Sequence, residues 1–123
     1  MIVADFRLCK KFGLPKSKMM RTPNSPRELV YNISQLGGII TSRLHSCIVS
    51  YSLDIPFVAI AWNDKLYRFA ERINHPEAVV GKKQMDARLI ISKLNMLISE
   101  GYNQEEKNLL MKSTYDCFIN YLK

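Results

Sequence analysis

Five consecutive residues, Ser42-Arg43-Leu44-His45-Ser46, bring together groups able to hold an anion and to move a proton. Arg43 offers a planar guanidinium fork that grips a carboxylate or phosphate bidentately. His45 carries an imidazole that can serve as acid or base in the same turn. Ser42 and Ser46 add hydroxyls, and the backbone at Leu44 adds an N–H. The β-branched run before these residues and the helical periodicity after them place the turn where a strand end enters a helix. A helix N-terminus presents free N–H groups and the positive end of its dipole, which suits an anion. Read without chemistry, His45 is a helix-start histidine bonded to backbone. The residues alone leave both readings open.

A second loop, Trp62-Asn63-Asp64-Lys65, has the same position after the next apolar run. Lys65 falls in the first turn of a helix, where a cation opposes the dipole, and this points to a bound anion. Trp62 fits two roles, stacking on a sugar ring or lidding the core. In open parallel sheets, ligands bind outside the carboxyl ends of the strands, so neighbouring strands would open both loops onto one cleft. His75, before Pro76, reads as a loop residue. There is no P-loop spacing, no GxGxxG, no metal-ligand cluster and no Ser-His-Asp set, so no metal or cofactor is expected.

The elements that must position these loops follow from periodicity. Ile2 to Phe6 suggests a short strand. Gly13, Pro15, Pro23 and Pro26 then prevent any long helix. Ser25-Pro26 with Glu28 is a helix start, Leu29, Val30, Ile33 and Leu36 its apolar stripe, and Gly37-Gly38 its stop. Gly38 to Ser42 predicts a buried parallel strand. Leu44 to Leu53 predicts a helix with Leu44, Cys47, Ile48 and Tyr51 inward, and Phe57 to Ala61 predicts a second strand. Asn63 or Asp64 caps a helix carrying Leu66, Phe69, Ala70 and Ile73, and Ala78 to Val80 makes a last short strand. Met85 to Ser99 predicts a helix with Leu89, Ile90, Leu94, Leu97 and Ile98 on one side, closed by Gly101. Asn103, Glu105 and Glu106 open a final helix whose inward face would be Leu110, Cys117, Phe118 and Tyr121. The alternation is an α/β pattern: a small parallel sheet flanked by helices, with two C-terminal helices.

The length, 123 residues, suits one domain with a real core. The net charge of +7 is concentrated at the start. Residues 1–27 hold seven cations against Asp5, and the rest of the chain is nearly balanced. These residues read as a basic, solvated N-terminal arm, with 28–123 the domain proper. Such an arm can attract phosphates, nucleic acid or anionic lipid. No apolar run reaches the roughly 20 residues that span a bilayer, and Asp5 and Arg7 interrupt any signal-peptide core. Of the three cysteines, Cys47 and Cys117 lie among apolar neighbours and read as small core residues, in keeping with a reducing cytosol. The expected location is cytoplasmic, or peripheral at a membrane surface.

The ordered set Gly38 to Ser46, then Asp54-Ile55-Pro56-Phe57-Val58-Ala59-Ile60, then Asn63-Asp64-Lys65 with Phe69, resembles the polysaccharide pyruvyltransferases over roughly residues 29–76. In that family a strand runs into R-L-H and a helix, a G-I-P-hydrophobic strand follows, and then a Y-N/D-x-K turn. Here Trp62 stands in place of the usual tyrosine, Asp54 in place of glycine, and Asp64 where proline is common. The resemblance implies a GT-B-like fold of two Rossmann-like domains, of which this chain would be the C-terminal half, the N-terminal domain being absent. It implies transfer of a pyruvyl group from phosphoenolpyruvate onto two hydroxyls of a saccharide acceptor, giving a ketal. Arg43 would hold the donor's phosphate or carboxylate, aided by Ser42, the Leu44 N–H, Asn63 and Lys65, and His45 would be the catalytic acid.

Two other readings stand beside it. One is the C-terminal half of a GT-B glycosyltransferase that binds a nucleotide sugar, although no acidic residue presents itself for the ribose. The other is a non-catalytic or vestigial interaction module. No nucleic-acid partner is expected. Two or three strands leave unpaired edges and an apolar face, so self-association, or pairing with a missing N-terminal domain, is expected.

Overall fold

A computed structural model describes residues 13, 15, 17 and 20–122. The predicted strand at Ile2 to Phe6 and most of the basic arm lie outside the described residues. The chain divides into two compact units, Met1–Leu36 and Gly37–Lys123.

In the first unit, helix α1 spans Pro26–Ser34. Ser25 is its N-cap: the side chain accepts the Glu28 N–H at 3.1 Å, and Pro26 supplies the preset φ of the first turn. Glu28 reaches back to the Asn24 N–H, satisfying a second donor. The helix ends at Gln35, so Leu36 lies beyond the apolar stripe assigned to it.

The second unit is an α/β layer structure. Three short strands, β1 (Ile39–Thr41), β2 (Phe57–Ile60) and β3 (Val79–Val80), form a parallel sheet in the order β1-β2-β3. Ile39, Ile40 and Thr41 pair with Phe57, Val58 and Ala59, and Ala59 and Ile60 pair with Val79 and Val80. Helix α2 (Leu44–Ser52) crosses from β1 to β2, and α3 (Asp64–Arg72) crosses from β2 to β3. Both crossovers advance the same way across the sheet, so both helices cover one face. The Phe57 and Phe69 rings stack there, centroids 6.1 Å apart, with Tyr51 edge-on to Phe69. Helix α4 (Ala87–Glu100) also packs on β2. It approaches the chain so closely at Gly38 that a Cβ there would lie 3.0 Å from a Leu94 methyl. This is the partial Rossmann-like arrangement expected from the sequence.

The core centres on β2, where Phe57, Val58 and Ala59 are almost completely buried. Strand β1 departs from expectation. Among the described residues it is an edge strand, not a fully buried one, and Ile40 remains 45 % exposed although its register partner Val58 is buried. In α2, Cys47 and Tyr51 are buried as predicted, but Ile48 is exposed and Ser50 is buried. In α4, Ile90 and Leu97 are buried, while Leu89 and Ile98 lie largely outside.

The largest correction concerns α5 (Gln104–Leu122). Only Leu110 of its assigned inward face packs against the core. Cys117, Phe118 and Tyr121 are exposed, so Cys117 is not a core cysteine. The part of the helix that meets the core is its N-terminal turns, at Lys107 and Leu110. Its first turn is anchored by Lys107, 5 % exposed, which pairs with Asp54 at 2.7 Å and donates to the Ser52 carbonyl at 3.2 Å.

Candidate active site at the carboxyl edge of the sheet

Because β1 and β2 are parallel, hydrogen-bonded neighbours, their following loops emerge side by side at one edge. The two sequence-predicted loops are thereby brought together, and one bond joins them: the Trp62 indole N–H donates to the Ser42 carbonyl at 2.9 Å. The order of strand pairing brings a third loop to the same edge. It is the 3-10 turn Lys82–Gln84 after β3, preceded by Gly81. Lys82 and Lys83 thus join Arg43 and Lys65 among the cations at this edge. Sequence reasoning named only two loops. The signal for the third was present in Val79-Val80 running into Gly81-Lys82-Lys83. Gly81 is confined by Tyr67, whose hydroxyl would lie 2.5 Å from any Cβ placed there.

The turn at Ser42 to His45 is built from local bonds. The Arg43 N–H donates to the Thr41 hydroxyl at 3.1 Å, which bends the chain out of the strand. The Arg43 carbonyl accepts from Cys47 and so starts α2. Arg43 is therefore the N-cap of α2, in extended conformation and with no side-chain cap bond. Helices α1, α3 and α4 are each capped by a side chain, from Ser25, Asn63 and Asp86, and Asn103 bonds the first-turn N–H groups of α5. Helix α2 differs: its first-turn N–H groups, at Leu44, His45 and Ser46, have no intrahelical partner, and its first turn holds no acidic side chain. Ser42, Arg43 and His45 are exposed. Among the described residues, no hydrogen bond or ion pair engages the Arg43 guanidinium or the His45 ring.

In the second loop, Asn63 spends its side-chain oxygen on the Lys65 N–H at 3.1 Å, capping α3. Its carbonyl group is thus committed to the helix. Lys65 is exposed, and Asp64 shares its turn. Trp62 is 66 % exposed, so it does not lid the core.

Other titratable groups fall outside this edge. Cys47 lies within α2, and burial pushes its thiol up to about 12, which keeps it protonated and unreactive at neutral pH. His75 holds Glu77 at 2.7 Å beside the Tyr102 ring, at the amino end of β3. A cavity of about 270 Å³ lined by Tyr51, Arg72, Ile73, Asn74, Glu106, Leu109 and Leu110 lies at the C-terminal ends of α2 and α3. Those helices run back against the strands, so that cavity is at the end of the sheet opposite the candidate site. Among the described residues no group of three or more His, Cys, Asp or Glu is placed to hold a metal ion, and no helix is long and apolar enough to cross a membrane.

Fold and site together define an α/β protein whose exposed chemistry lies at the carboxyl edge of a parallel sheet and is cationic. The chain belongs to the polysaccharide pyruvyl transferase family, whose model matches residues 2–64. The matched segment includes Arg43, Leu44 and His45 and ends one residue before Lys65. Membership implies a saccharide as the acceptor. No curated protein and no solved structure matches the chain.

Proposed function

We propose that this chain carries the donor-binding and proton-donating side of a pyruvyltransferase that moves pyruvyl from phosphoenolpyruvate to a pair of saccharide hydroxyls. The observation that supports it best is the uncapped start of α2, with Arg43 at the cap position and His45 exposed in the first turn, inside the family-matched segment.

The chemistry needs a cation for the donor's phosphate or carboxylate and an acid for its methylene carbon. Arg43 and the Leu44 N–H supply the first, with the Ser42 hydroxyl and Lys65 at hand. Asn63 keeps its side-chain NH2 as a further donor beside them. His45, as imidazolium, protonates the methylene carbon and leaves an oxocarbenium-like centre at C2. A sugar hydroxyl adds to that carbon, its proton returning to the His45 imidazole. Phosphate departs, and the second hydroxyl closes the ketal, its proton leaving with the phosphate. In this reading the chain forms the C-terminal part of a GT-B-like enzyme, and the small sheet with its open edge is one wall of a two-walled cleft. The donor is a substrate, and no cofactor takes part. A nucleotide-sugar transferase would use the same helix N-terminus, but the family match favours pyruvyl transfer.

The test is an NMR titration with phosphoenolpyruvate and with inorganic phosphate. Amide shifts should concentrate at Arg43, Leu44 and His45 and vanish in Arg43→Ala. With one wall of the cleft, the dissociation constant should be about millimolar, or roughly 4 kcal/mol of binding. Shifts restricted to the basic residues before position 28 would defeat the proposal.

A further inference from the structure

Trp62 is the sole tryptophan of the chain, and its setting is unusual. A large aromatic that is 66 % exposed gains little from burial, and an exposed indole with a free N–H would ordinarily rotate. Here the N–H is held at 2.9 Å by the Ser42 carbonyl, across a sequence separation of 20 residues. The bond fixes the ring beside the turn that carries Arg43 and His45. The backbone on either side is equally constrained: Ala61 is buried and its N–H bonds the Val80 carbonyl at 2.9 Å, while Asn63 is the cap of α3. The result is an apolar plate with a fixed position, standing in water at a cationic edge.

We propose that Trp62 is the acceptor platform of this site: it stacks against the apolar C–H face of a pyranose ring and sets the ring's distance from His45. The inference rests on the pyruvyl-transfer reading above, because it places the acceptor beside the donor turn. Pyranose rings carry patches of C–H bonds on one face and hydroxyls around the rim. An indole face matches the first, and an edge lined with Arg43, His45 and Ser42 matches the second. A ring lying on Trp62 presents rim hydroxyls toward the His45 side, where the donor carbon would be attacked. The best ligands are sugars with several C–H bonds on one face, and charge on the sugar is unnecessary for this contact. The indole N–H also makes the platform specific to tryptophan, since a phenyl ring at position 62 keeps the face but loses the tether to Ser42.

The experiment uses the full 123-residue chain and neutral methyl pyranosides as probes. Because Trp62 is the sole source of tryptophan emission, fluorescence reads this position alone. Methyl galactoside or methyl glucoside should shift the emission to shorter wavelength, saturably, and should protect it from acrylamide quenching. Saturation-transfer NMR should show the sugar C–H protons receiving magnetisation. Trp62→Ala should weaken binding by about tenfold, and Trp62→Phe by only a few-fold, the size expected of an aromatic contact with and without its tether. Amide spectra matching wild type outside the site would show that the variants are folded. No emission change at any sugar concentration, or undiminished saturation transfer to the sugar in Trp62→Ala, overturns the platform. Inorganic phosphate, titrated separately, keeps the two ideas apart. Loss of phosphate-induced shifts at Arg43 with the sugar response intact refutes the donor reading alone, and the converse refutes the platform alone.

Discussion

Replacing Asp54 by Asn should destabilise the second unit by about 1–2 kcal/mol, although Asp54 is on the surface and in a turn. Lys107 is 5 % exposed and so carries a charge out of water. Its partners are the Asp54 carboxylate at 2.7 Å, the Ser52 carbonyl at 3.2 Å, and the Tyr51 ring with its centroid 5.4 Å away. Removing one partner of a buried pair costs about 3–5 kcal/mol. Two features reduce that here: the Asp54 side chain is 51 % exposed and screened, and Lys107 keeps its carbonyl and ring contacts. Asn tolerates the left-handed backbone at position 54, φ 59°, and leaves an oxygen for Gln104, so the variant isolates the charge. Lys107→Met fills the same space without a charge and should be nearly neutral in the Asp54→Asn background. Thermal and urea denaturation of the four proteins of this cycle give the coupling. A shift of roughly 4–8 °C is expected for Asp54→Asn at about 4 °C per kcal/mol. The pH dependence has a definite sign. Hydrogen bonds from Lys107, then from Gln104, hold the Asp54 carboxyl below its ordinary value of 3.8. The contribution is therefore complete above 3.8 and disappears as pH falls through the depressed value beneath it. Zero coupling in the cycle, or Asp54→Asn as stable as wild type at pH 7, would refute this account of how α5 is fastened.

The remaining expectations concern chemistry, assembly and reactivity. In a preparation that turns over phosphoenolpyruvate, His45→Ala should lower kcat by about 10²- to 10⁴-fold with KM nearly unchanged, while Arg43→Ala should chiefly raise the donor KM; a His45→Ala protein with reduced melting temperature and undiminished kcat would end the catalytic role. Leu109, Met111, Tyr115, Phe118 and Tyr121 expose an apolar length of α5, so light scattering should give a mass above 14.2 kDa at high concentration, and a strict monomer would count against self-association. Cys117 should react with a maleimide in the native protein, whereas Cys47 should react only after unfolding. Peptide mapping by mass spectrometry distinguishes the two sites, and equal labelling would contradict the burial of α2.

What the sequence settled by itself was local. Ser25 and Asn63 cap the helices they were expected to cap, because a side-chain oxygen reaching an N–H two or three residues ahead is chemistry within a single turn. The three strands, their parallel alternation with helices, and the placing of Ser42 to His45 between a strand and a helix follow from periodicity and from the short connections it permits. Distances across the fold were beyond such reasoning. Lys107 follows the polar run Gln104-Glu105-Glu106; a turn 53 residues away, at Asp54, makes it a buried anchor. The apolar periodicity of α5 indicates one side of a helix, but only tertiary packing decides how much of that side meets a core: Leu110 does, while Phe118 and Tyr121 are exposed. In the sequence Trp62 fits two roles; its exposure removes that of core lid, and only the tertiary structure places the Ser42 carbonyl at its indole nitrogen. Lys82 and Lys83 join the site only because β3 pairs with β2. Sequence specifies which groups exist and how each turn begins, while the pairing of strands decides which groups share an edge, since that depends on contacts between residues far apart along the chain.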